Sequence, residues 1–246
     1  MKLLVCISKA PDTTAKISFS ADNKEFNSAG VQYILNPYDE WYSLVRALEL
    51  VEAQGGTVTV VNVGPAENDT LIRKALAIGA NDAVRIDAQP LSAMFVAKQI
   101  AAYAKEQNFD AIFCGKETID YNGAEVGPML AEYLDLPFLS FANHLEFDGG
   151  KAKVSRDIGD GTEVVEVEMP FVLSAAKDLA EQRIPNMMGI MKAKQKPLQV
   201  VAPVDFQDKV KVTTYELPPA KTAVKLIDPE NMDELVRLLH EEAKVI

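Results

Sequence analysis

Short apolar runs alternate with amphipathic segments along residues 1–140 of this chain. The apolar runs are rich in β-branched residues, which is typical of strands buried on both faces. The segments between them repeat apolar residues every three or four positions, as helices that pack on a sheet do. This pattern predicts strands at 3–7, 57–64, 83–86 and 110–114, and helices at 38–53, 69–78, 91–106 and 124–134.

Strands that alternate with helices imply parallel pairing through right-handed crossovers. We therefore expect an α/β fold with a doubly wound, mostly parallel sheet and helices on both faces. Gly55-Gly56 and Gly79 are expected to end the first two helices, and Asn68 or Asp69 to cap the second. In such folds ligands bind beyond the carboxyl ends of the strands, where the strand order reverses. The candidate ligand-binding segments are therefore 8–14, 36–40, 63–67 and 115–127.

The pattern changes after Pro137, where four apolar runs follow one another without a helix between them. These runs predict an antiparallel extension of the same sheet, with strands at 138–147, 152–158, 163–169 and 171–176 and hairpin turns at Gly149-Gly150 and Gly159–Gly161.

An extended, proline-punctuated segment begins at residue 202, and an amphipathic helix capped by Asp228 or Asn231 closes the chain. We expect residues 1–201 to form the α/β nucleotide-binding domain and residues 202–246 to form a C-terminal arm. The arm either packs across the α/β domain of its own chain or, as we favour, contacts a partner protein.

Composition narrows the class of protein. Cys6 and Cys114 are the only cysteines and lie in apolar runs, which favours buried thiols in a reducing compartment over a disulfide framework. The two histidines lie apart from them, so no zinc site is expected. A net charge of −11 disfavours general binding to nucleic acid.

No apolar run approaches the roughly 18 residues of a membrane span, and no signal peptide is visible, so we expect a bacterial cytoplasmic protein.

Several loops that carry enzyme chemistry are missing, namely G-x-G-x-x-G, G-x-x-x-x-G-K-[ST] and G-x-S-x-G. Asp39 and Glu40 could act as acid and base, but they stand at a predicted helix start, where carboxylates favour the helix dipole; we prefer that capping interpretation. The loop from Gly115 to Gly127 leaves a strand and enters a helix, whose first amides can hold a phosphate. The residues alone thus predict a nucleotide-sized ligand.

The segment Arg183–Pro197 places Met187, Met188, Ile190 and Met191 beside Lys192, Lys194 and Lys196 in an otherwise acidic chain. Methionines adapt to varied surfaces, so an exposed apolar loop with a basic flank suits transient docking. A buried methionine cluster followed by a solvated helix explains the pattern equally well.

Several motifs together resemble the β subunit of electron transfer flavoproteins, and the resemblance spans nearly the whole chain. The motifs are K-A-P-D at 9–12, N-P-Y-D-E at 36–40, V-G-P-A at 63–66, A-L-A-I-G-A at 75–80, G-K-E-T-I-D at 115–120, V-S-R-D-I at 154–158, E-V-V-E-V-E-M-P-F-V at 163–172 and I-M-K-A-K at 190–194.

The resemblance implies an adenine-nucleotide α-hydrolase-like fold and a heterodimer with a larger α subunit, which holds the redox FAD. It implies an electron carrier with no catalytic residue of its own, and a structural AMP in this subunit. Thr13 and Tyr38 match positions near the flavin, although some relatives have an aromatic residue at the position of Thr13. The positions that match cofactor contacts are Cys6, Asn36, Pro37, Tyr38, Asp39, Val63, Gly115, Lys116, Glu117, Thr118, Ile119, Asp120, Tyr121, Asn122, Gly123, Ala124, Glu125 and Val126.

The resemblance also implies that Met187 takes the place of a leucine anchor that docks acyl-CoA dehydrogenases, with Met188, Ile190, Met191 and Lys192 beside it. The expected role is then electron transfer from fatty acid β-oxidation to a quinone-linked acceptor of the respiratory chain. Met188-Gly189 departs from the commoner proline-asparagine. Two alternatives stay open: a bifurcating β subunit that binds a second FAD and oxidises NADH, and a stand-alone nucleotide-binding α/β regulator.

Overall fold

The protein was analysed as a computed structural model that describes residues 1–148, 150–221 and 223–246. Its strands are β1 (Lys2–Cys6), β2 (Lys9–Pro11), β3 (Tyr33–Leu35), β4 (Thr57–Val63), β5 (Asp82–Ile86), β6 (Ala111–Gly115), β7 (Phe138–Asp148), β8 (Lys151–Asp157), β9 (Thr162–Glu168), β10 (Phe171–Ala175) and β11 (Leu198–Val201). Its helices are α1 (Asp39–Gln54), α2 (Asp69–Ile78), α3 (Ala93–Ala104), α4 (Val126–Leu134), α5 (Met187–Ala193) and α6 (Met232–Arg237).

Nine strands form one sheet in the order β11-β5-β4-β1-β6-β10-β7-β8-β9, and those from β11 to β7 pair in parallel. Two apolar cores flank this sheet. One lies under α1 and α2, and the other lies under α3 and α4. The central strands contribute residues to both cores, which explains why their sequences are continuous apolar runs. The predicted doubly wound α/β fold is confirmed.

The predicted helix ends are present. Gly55 follows α1 with a φ of 82°, and its N–H donates to the carbonyl of Val51. Gly79 follows α2 with a φ of 156°, and its N–H donates to Ala75. Both values lie in the region that glycine occupies without strain.

The second half of the sheet differs in one respect from the prediction. β7, β8 and β9 form the expected antiparallel extension, and Ile158 N–H donates to the Gly161 carbonyl across the predicted turn. Of the other predicted turn, Gly149 lies outside the described residues. The strand β10, however, does not continue the meander, because it inserts between β6 and β7 and runs parallel to both. Its five residues are all buried, as expected of a central parallel strand.

Three short strands were not predicted. β11 adds an edge to the sheet beside β5, and β2 pairs antiparallel with β3 in a separate two-stranded ribbon. Each has only three or four residues, which is too short for a periodic signal.

The chain divides into two compact units. One comprises residues 1–17 and 27–213, and the other comprises residues 18–26 and 214–246. In the second unit the ring of Phe19 stacks on Tyr215 at 5.0 Å, and Asn231 caps α6 by accepting from Glu234 N–H. A π-helical turn, Leu238–Glu242, follows α6. None of the helices in the described part of the chain has the length and apolar character that a bilayer-spanning segment requires.

Candidate functional site

The strand order reverses at β1, which lies between β4 and β6. Cys6 ends β1 and Cys114 lies beside it on β6; both are buried and free of disulfide. The hydrogen bond between the two thiols, together with burial, raises the pKa of Cys6 well above its ordinary value. The carboxyl ends of β1 and β6, which we call the crevice, therefore carry two buried thiols, as the apolar runs predicted.

Asn36, a candidate ligand contact, uses its side chain to hold the loop 115–127. It is fully buried, its Nδ2 donates to the Glu117 carbonyl at 3.1 Å, and its Oδ1 accepts from Ile119 N–H at 3.0 Å. Its own N–H donates to the Ser8 carbonyl at 3.0 Å. Asn36 therefore fixes the loop relative to the end of β1.

Backbone donors without a partner cluster where this loop enters α4. Within the described chain, none of the N–H groups from Gly123 to Gly127 donates to another group, and Glu125 at the N-cap makes no side-chain cap. Asn122 and Ala124 have left-handed backbones, with φ of 50° and 51°. Successive amides in such a conformation form a concave anion-binding surface at the positive end of a helix.

Glu40 closes the crevice from the side of α1, which sequence reasoning did not predict. Its carboxyl accepts from Ser8 N–H at 2.7 Å and from Ser8 Oγ–H at 2.6 Å. A Cβ on Gly115 would lie 2.7 Å from Glu40 Cγ and 2.9 Å from Glu40 N, so only glycine allows α1 to approach β6 this closely. The capping interpretation is therefore wrong for Glu40, because its side chain turns back to β1.

Burial raises the pKa of Glu40 to about 8 and outweighs the hydrogen bonds from Ser8, which lower it. Its neighbour Asp39 also has a raised pKa, because burial exceeds the opposing effect of Lys116. Lys116 Nζ lies 2.9 Å from a Glu117 carboxylate oxygen. The crevice thus contains one carboxyl that is largely neutral at pH 7.

A shallow cleft of about 330 Å³ opens beside this crevice and is lined by Pro37, Tyr38, Asp39, Tyr42, Lys116, Glu117, Ile119, Asn122 and Lys177. Tyr38 exposes about half of its side chain and has a φ of 64° and a ψ of −103°. That backbone conformation is rare for a bulky residue and marks local strain.

On the side of β4, the crevice is bordered by the side-chain amides of two asparagines. Val63 is buried, and the neighbouring Asn62 donates to the Ile7 carbonyl at 2.8 Å and accepts from Asn68 Nδ2 at 2.9 Å. Asn68 stands at the N-cap of α2, as predicted, but its side chain makes no cap hydrogen bond there. Its side chain fixes the 63–67 turn, where a Cβ on Gly64 would lie 2.0 Å from Asn68 Nδ2.

The remaining candidate positions are exposed or half-exposed. Thr13 lies in the turn after β2, and its neighbour Thr14 donates to Asp12. In the loop 115–127 the middle of the loop is the most exposed part. Gly115, Lys116, Glu117, Thr118, Ile119, Ala124 and Val126 are half-buried, whereas Asp120, Tyr121, Asn122, Gly123 and Glu125 are exposed.

The segment 183–197 contains α5, and its apolar side chains face outward. Met187 is 75% exposed, Met191 69%, Met188 64% and Ile190 43%. Lys192 is also exposed, whereas Ala193 is buried against α2. Of the two interpretations, the buried methionine cluster is therefore excluded.

Sequence reasoning missed Ser8, Ser43 and the Asn62–Asn68 pair. Ser43 Oγ donates to the Cys114 carbonyl at 2.6 Å and is fully buried. Ser43 lies on a mostly apolar face of α1 and Asn62 in the mostly apolar strand β4, and a small polar residue in such a setting is the signal that could have identified these two.

Comparison with known proteins gives one consistent result. A family model for the electron transfer flavoprotein domain matches residues 25–206. The electron transfer flavoprotein subunit beta of Bacillus subtilis is 36% identical over 260 residues and is covered completely, as is this chain. The human protein of the same name is 32% identical over 256 residues, which cover 100% of this chain and 99% of the relative. That of Thermoanaerobacterium thermosaccharolyticum is 35% identical over 199 residues, which cover 80% and 76%.

Proposed function

This chain belongs to the electron transfer flavoprotein family, and from that premise we propose that it is the β subunit of a heterodimer. In this proposal it supports the FAD of the α subunit, binds AMP, and docks acyl-CoA-type dehydrogenases. The electron-carrying, flavin-linked role follows from the family, whose members named above are all β subunits. The crevice and α5 support the finer assignments.

The free amides of Gly123–Gly127 carry the proposal for AMP. Five successive unpaired N–H groups at a helix start suit one phosphate group. Asn36 holds this loop in place, while Val63 and Cys6 supply the apolar edge of the crevice. Neutral Glu40 would keep one negative charge away from the phosphate.

Tyr38 supports the proposed contact with the flavin of the α subunit. When bound, FAD supplies the one-electron redox chemistry, and the proteins supply position and electrostatics. The strained backbone of Tyr38 holds its half-exposed ring beside Lys116 and Lys177 in the open cleft. Thr13 would reach the same ligand with a smaller side chain. A residue kept in a strained conformation at a cleft is a common feature of binding sites.

The C-terminal arm supports the heterodimer. Its exposed apolar residues include Val210, Leu217, Leu226 and Val236. A row of exposed apolar side chains along an extended segment is typical of a surface that a partner covers. We assign residues 202–246 to contact with the α subunit, and residues 1–201 to nucleotide binding.

The exposed side chains of Met187, Met188, Ile190 and Met191, with Lys192 beside them, support docking of the dehydrogenase. A single apolar anchor with adaptable neighbours suits a short-lived complex, which must release after each electron transfer. In this role the heterodimer would carry electrons from fatty acid β-oxidation to a quinone-linked acceptor of the respiratory chain.

The nucleotide content of the heterodimer tests the proposal. The chain is co-expressed with an electron transfer flavoprotein α subunit, the complex is purified, and the nucleotides released by acid are quantified by chromatography. One FAD and one AMP per heterodimer are expected, in a yellow complex. Two FAD and no AMP would support the bifurcating alternative, and a colourless chain without a partner would support the stand-alone regulator.

A further inference from the structure

The docking helix α5 is too short to be stable alone, because isolated helices need about 12–15 residues and α5 has seven. Its orientation must therefore come from its contacts. The contacts described below lie at its beginning, its middle and its end, and most are made to α1, to α2 and to the turn after α2.

At the beginning, the segment before α5 is fixed to α1. The guanidinium of Arg183 forms two hydrogen bonds with Glu52, at 2.6 and 2.9 Å, and the Arg183 carbonyl accepts from Trp41 Nε1 at 3.2 Å. Lys74 of α2 lies 4.7 Å from the centre of the Trp41 ring. Asn186 then caps α5 by accepting from Gly189 N–H at 2.8 Å.

In the middle, α5 approaches the backbone of α2. A Cβ on Gly189 would lie 2.4 Å from the Ala77 carbonyl oxygen. That distance is shorter than any contact a real Cβ makes with a backbone atom, so only glycine permits this approach.

At the end of α5, a basic side chain from each of the two segments bonds main-chain carbonyls of the other. Arg73 of α2 donates to the carbonyls of Ala193 and Lys196, at 2.7 and 2.6 Å. Lys196 Nζ in turn donates to the carbonyls of Leu76, Gly79 and Ala80, at 2.9, 3.1 and 2.5 Å. Carbonyls at a helix end lack partners within the helix and favour a positive charge. Arg73 of α2 therefore stabilises the end of α5, and Lys196 stabilises the end of α2.

Lys196 therefore differs from the two lysines before it. Lys192 and Lys194 are exposed, whereas Lys196 is half-buried and points into the protein. In the part of the chain that the structure describes, no carboxylate forms an ion pair with Lys196, and all of its hydrogen bonds go to main-chain oxygens.

We propose that Lys196 and Gly189 are positioning residues for docking: they seat α5 rigidly on α2 so that Met187 and Met191 are presented in a fixed orientation. This inference rests on the proposed docking function of α5 and adds the residues that orient it. A pre-ordered contact element avoids the entropy cost of ordering on association, so its loss weakens binding of the dehydrogenase rather than the transfer step.

The test compares Lys196→Met with Lys194→Met in the purified heterodimer. Each variant loses one positive charge from the same segment, but only Lys196 holds α2. Steady-state transfer is measured from an acyl-CoA dehydrogenase reduced by its acyl-CoA substrate, at low and at high salt. Hydrogen exchange of the amides of residues 187–193 and the FAD content are measured on the same preparations.

For Lys196→Met we expect the apparent KM for the heterodimer to rise roughly tenfold at both salt concentrations, as for a misplaced contact element. The kcat and the FAD content stay unchanged, and residues 187–193 exchange faster. For Lys194→Met we expect a smaller rise that disappears at high salt, because exposed charges are screened. Equal KM values and equal exchange rates for the two variants would overturn the inference.

Gly189→Ala provides an independent second variant, because loss of three hydrogen bonds in Lys196→Met could also destabilise the domain. Alanine ordinarily favours a helix over glycine, so a rise in KM and in exchange would come from the clash with Ala77 alone. An unchanged KM in Gly189→Ala contradicts the positioning role. Met187→Ala separates the two proposals, because an unchanged KM there would refute docking through α5 itself.

Discussion

The crevice at β1 and β6 and the surface of α5 are built in opposite ways. In the crevice the side chains are buried and paired with one another, while five backbone amides at the start of α4 stay free. On α5 one main-chain group at each end is paired with a side chain, Gly189 N–H with Asn186 and the Ala193 carbonyl with Arg73, while the apolar side chains stay exposed. One surface offers unpaired hydrogen-bond donors, and the other offers uncovered apolar area.

This difference suits two kinds of partner. Free amides in a fixed loop favour a small anion that is held for a long time, since its release would leave polar groups unpaired. Exposed methionines on a short rigid helix favour a protein that binds and leaves, since they are adaptable and cost little when uncovered. In the proposed function, the same subunit would keep a structural nucleotide while it exchanges redox partners.

The largest expected effect is in the crevice, with Asn36→Ala. The change removes both hydrogen bonds that hold the loop and leaves the part-buried Glu117 carbonyl and Ile119 N–H unpaired. We expect loss of AMP from the heterodimer and a decrease of about 2–4 kcal/mol in the free energy of unfolding. Urea unfolding and nucleotide quantification measure the two effects.

Asn143→Ala, which changes a half-buried asparagine of β7, is the matched control and should retain AMP. If Asn36→Ala kept its full nucleotide content, the loop would not be the nucleotide site.

Gly115→Ala should have the next largest effect. Its Cβ would meet the backbone nitrogen and Cγ of Glu40, and would push the start of α1 away from β6. Overpacking of this kind costs about 1–3 kcal/mol, measured by thermal unfolding. Gly161→Ala is a suitable comparison, because nothing lies within 4 Å of a Cβ there and its backbone is not left-handed. Equal destabilisation by both would show that packing around Glu40 is loose.

Met187→Ala probes the other surface and should leave the crevice unaffected. We expect a loss of about 1–2 kcal/mol in docking, or roughly tenfold in the second-order rate of reduction by the dehydrogenase. AMP and FAD contents should stay at one each. A loss of FAD with an unchanged rate would instead assign Met187 to the contact with the α subunit.

The last prediction concerns the pH dependence of stability that Glu40 gives the crevice. Burial gives Glu40 a pKa of about 8 in the folded protein, compared with 4.5 for an unperturbed glutamate. The folded state therefore holds this proton more tightly than the unfolded state. The resulting stability is fully present below pH 4.5 and is lost as the pH rises to about 8.

Glu40→Gln removes this titration. The free energy of unfolding of the natural chain, relative to that of the variant, should fall between pH 4.5 and 8, and denaturant titrations at several pH values measure it. A constant difference would mean that Glu40 is already ionised in the folded protein.

The order of elements was predictable because each central strand and each long helix repeats its own period over enough residues. The runs at 57–64 and 110–114 and the glycines at 55 and 79 identified the elements and their ends without tertiary information. The loop 115–127 was also predictable as a candidate site, because such loops follow parallel strands. The place of β10 was not, since an all-buried run of five residues fits an antiparallel meander as well as a central parallel strand.

The roles of individual polar residues escaped prediction for a related reason. Asn36 and Asn68 look alike at the ends of their segments, yet one holds a loop about eighty positions away in the chain and the other holds Asn62. Glu40 looked like a helix cap and bonds Ser8 instead. Lys196 looked like part of a basic surface and stabilises the end of α2.

The sequence by itself determined the fold class, the candidate loop and the family, because periodicity and local motifs depend on neighbours along the chain. Only the tertiary structure decided which polar groups are paired, which amides stay free, and which of the lysines points inward. Those choices depend on contacts between residues distant in sequence, and hydrogen bonds over a few ångströms are what distinguish a binding group from a structural one.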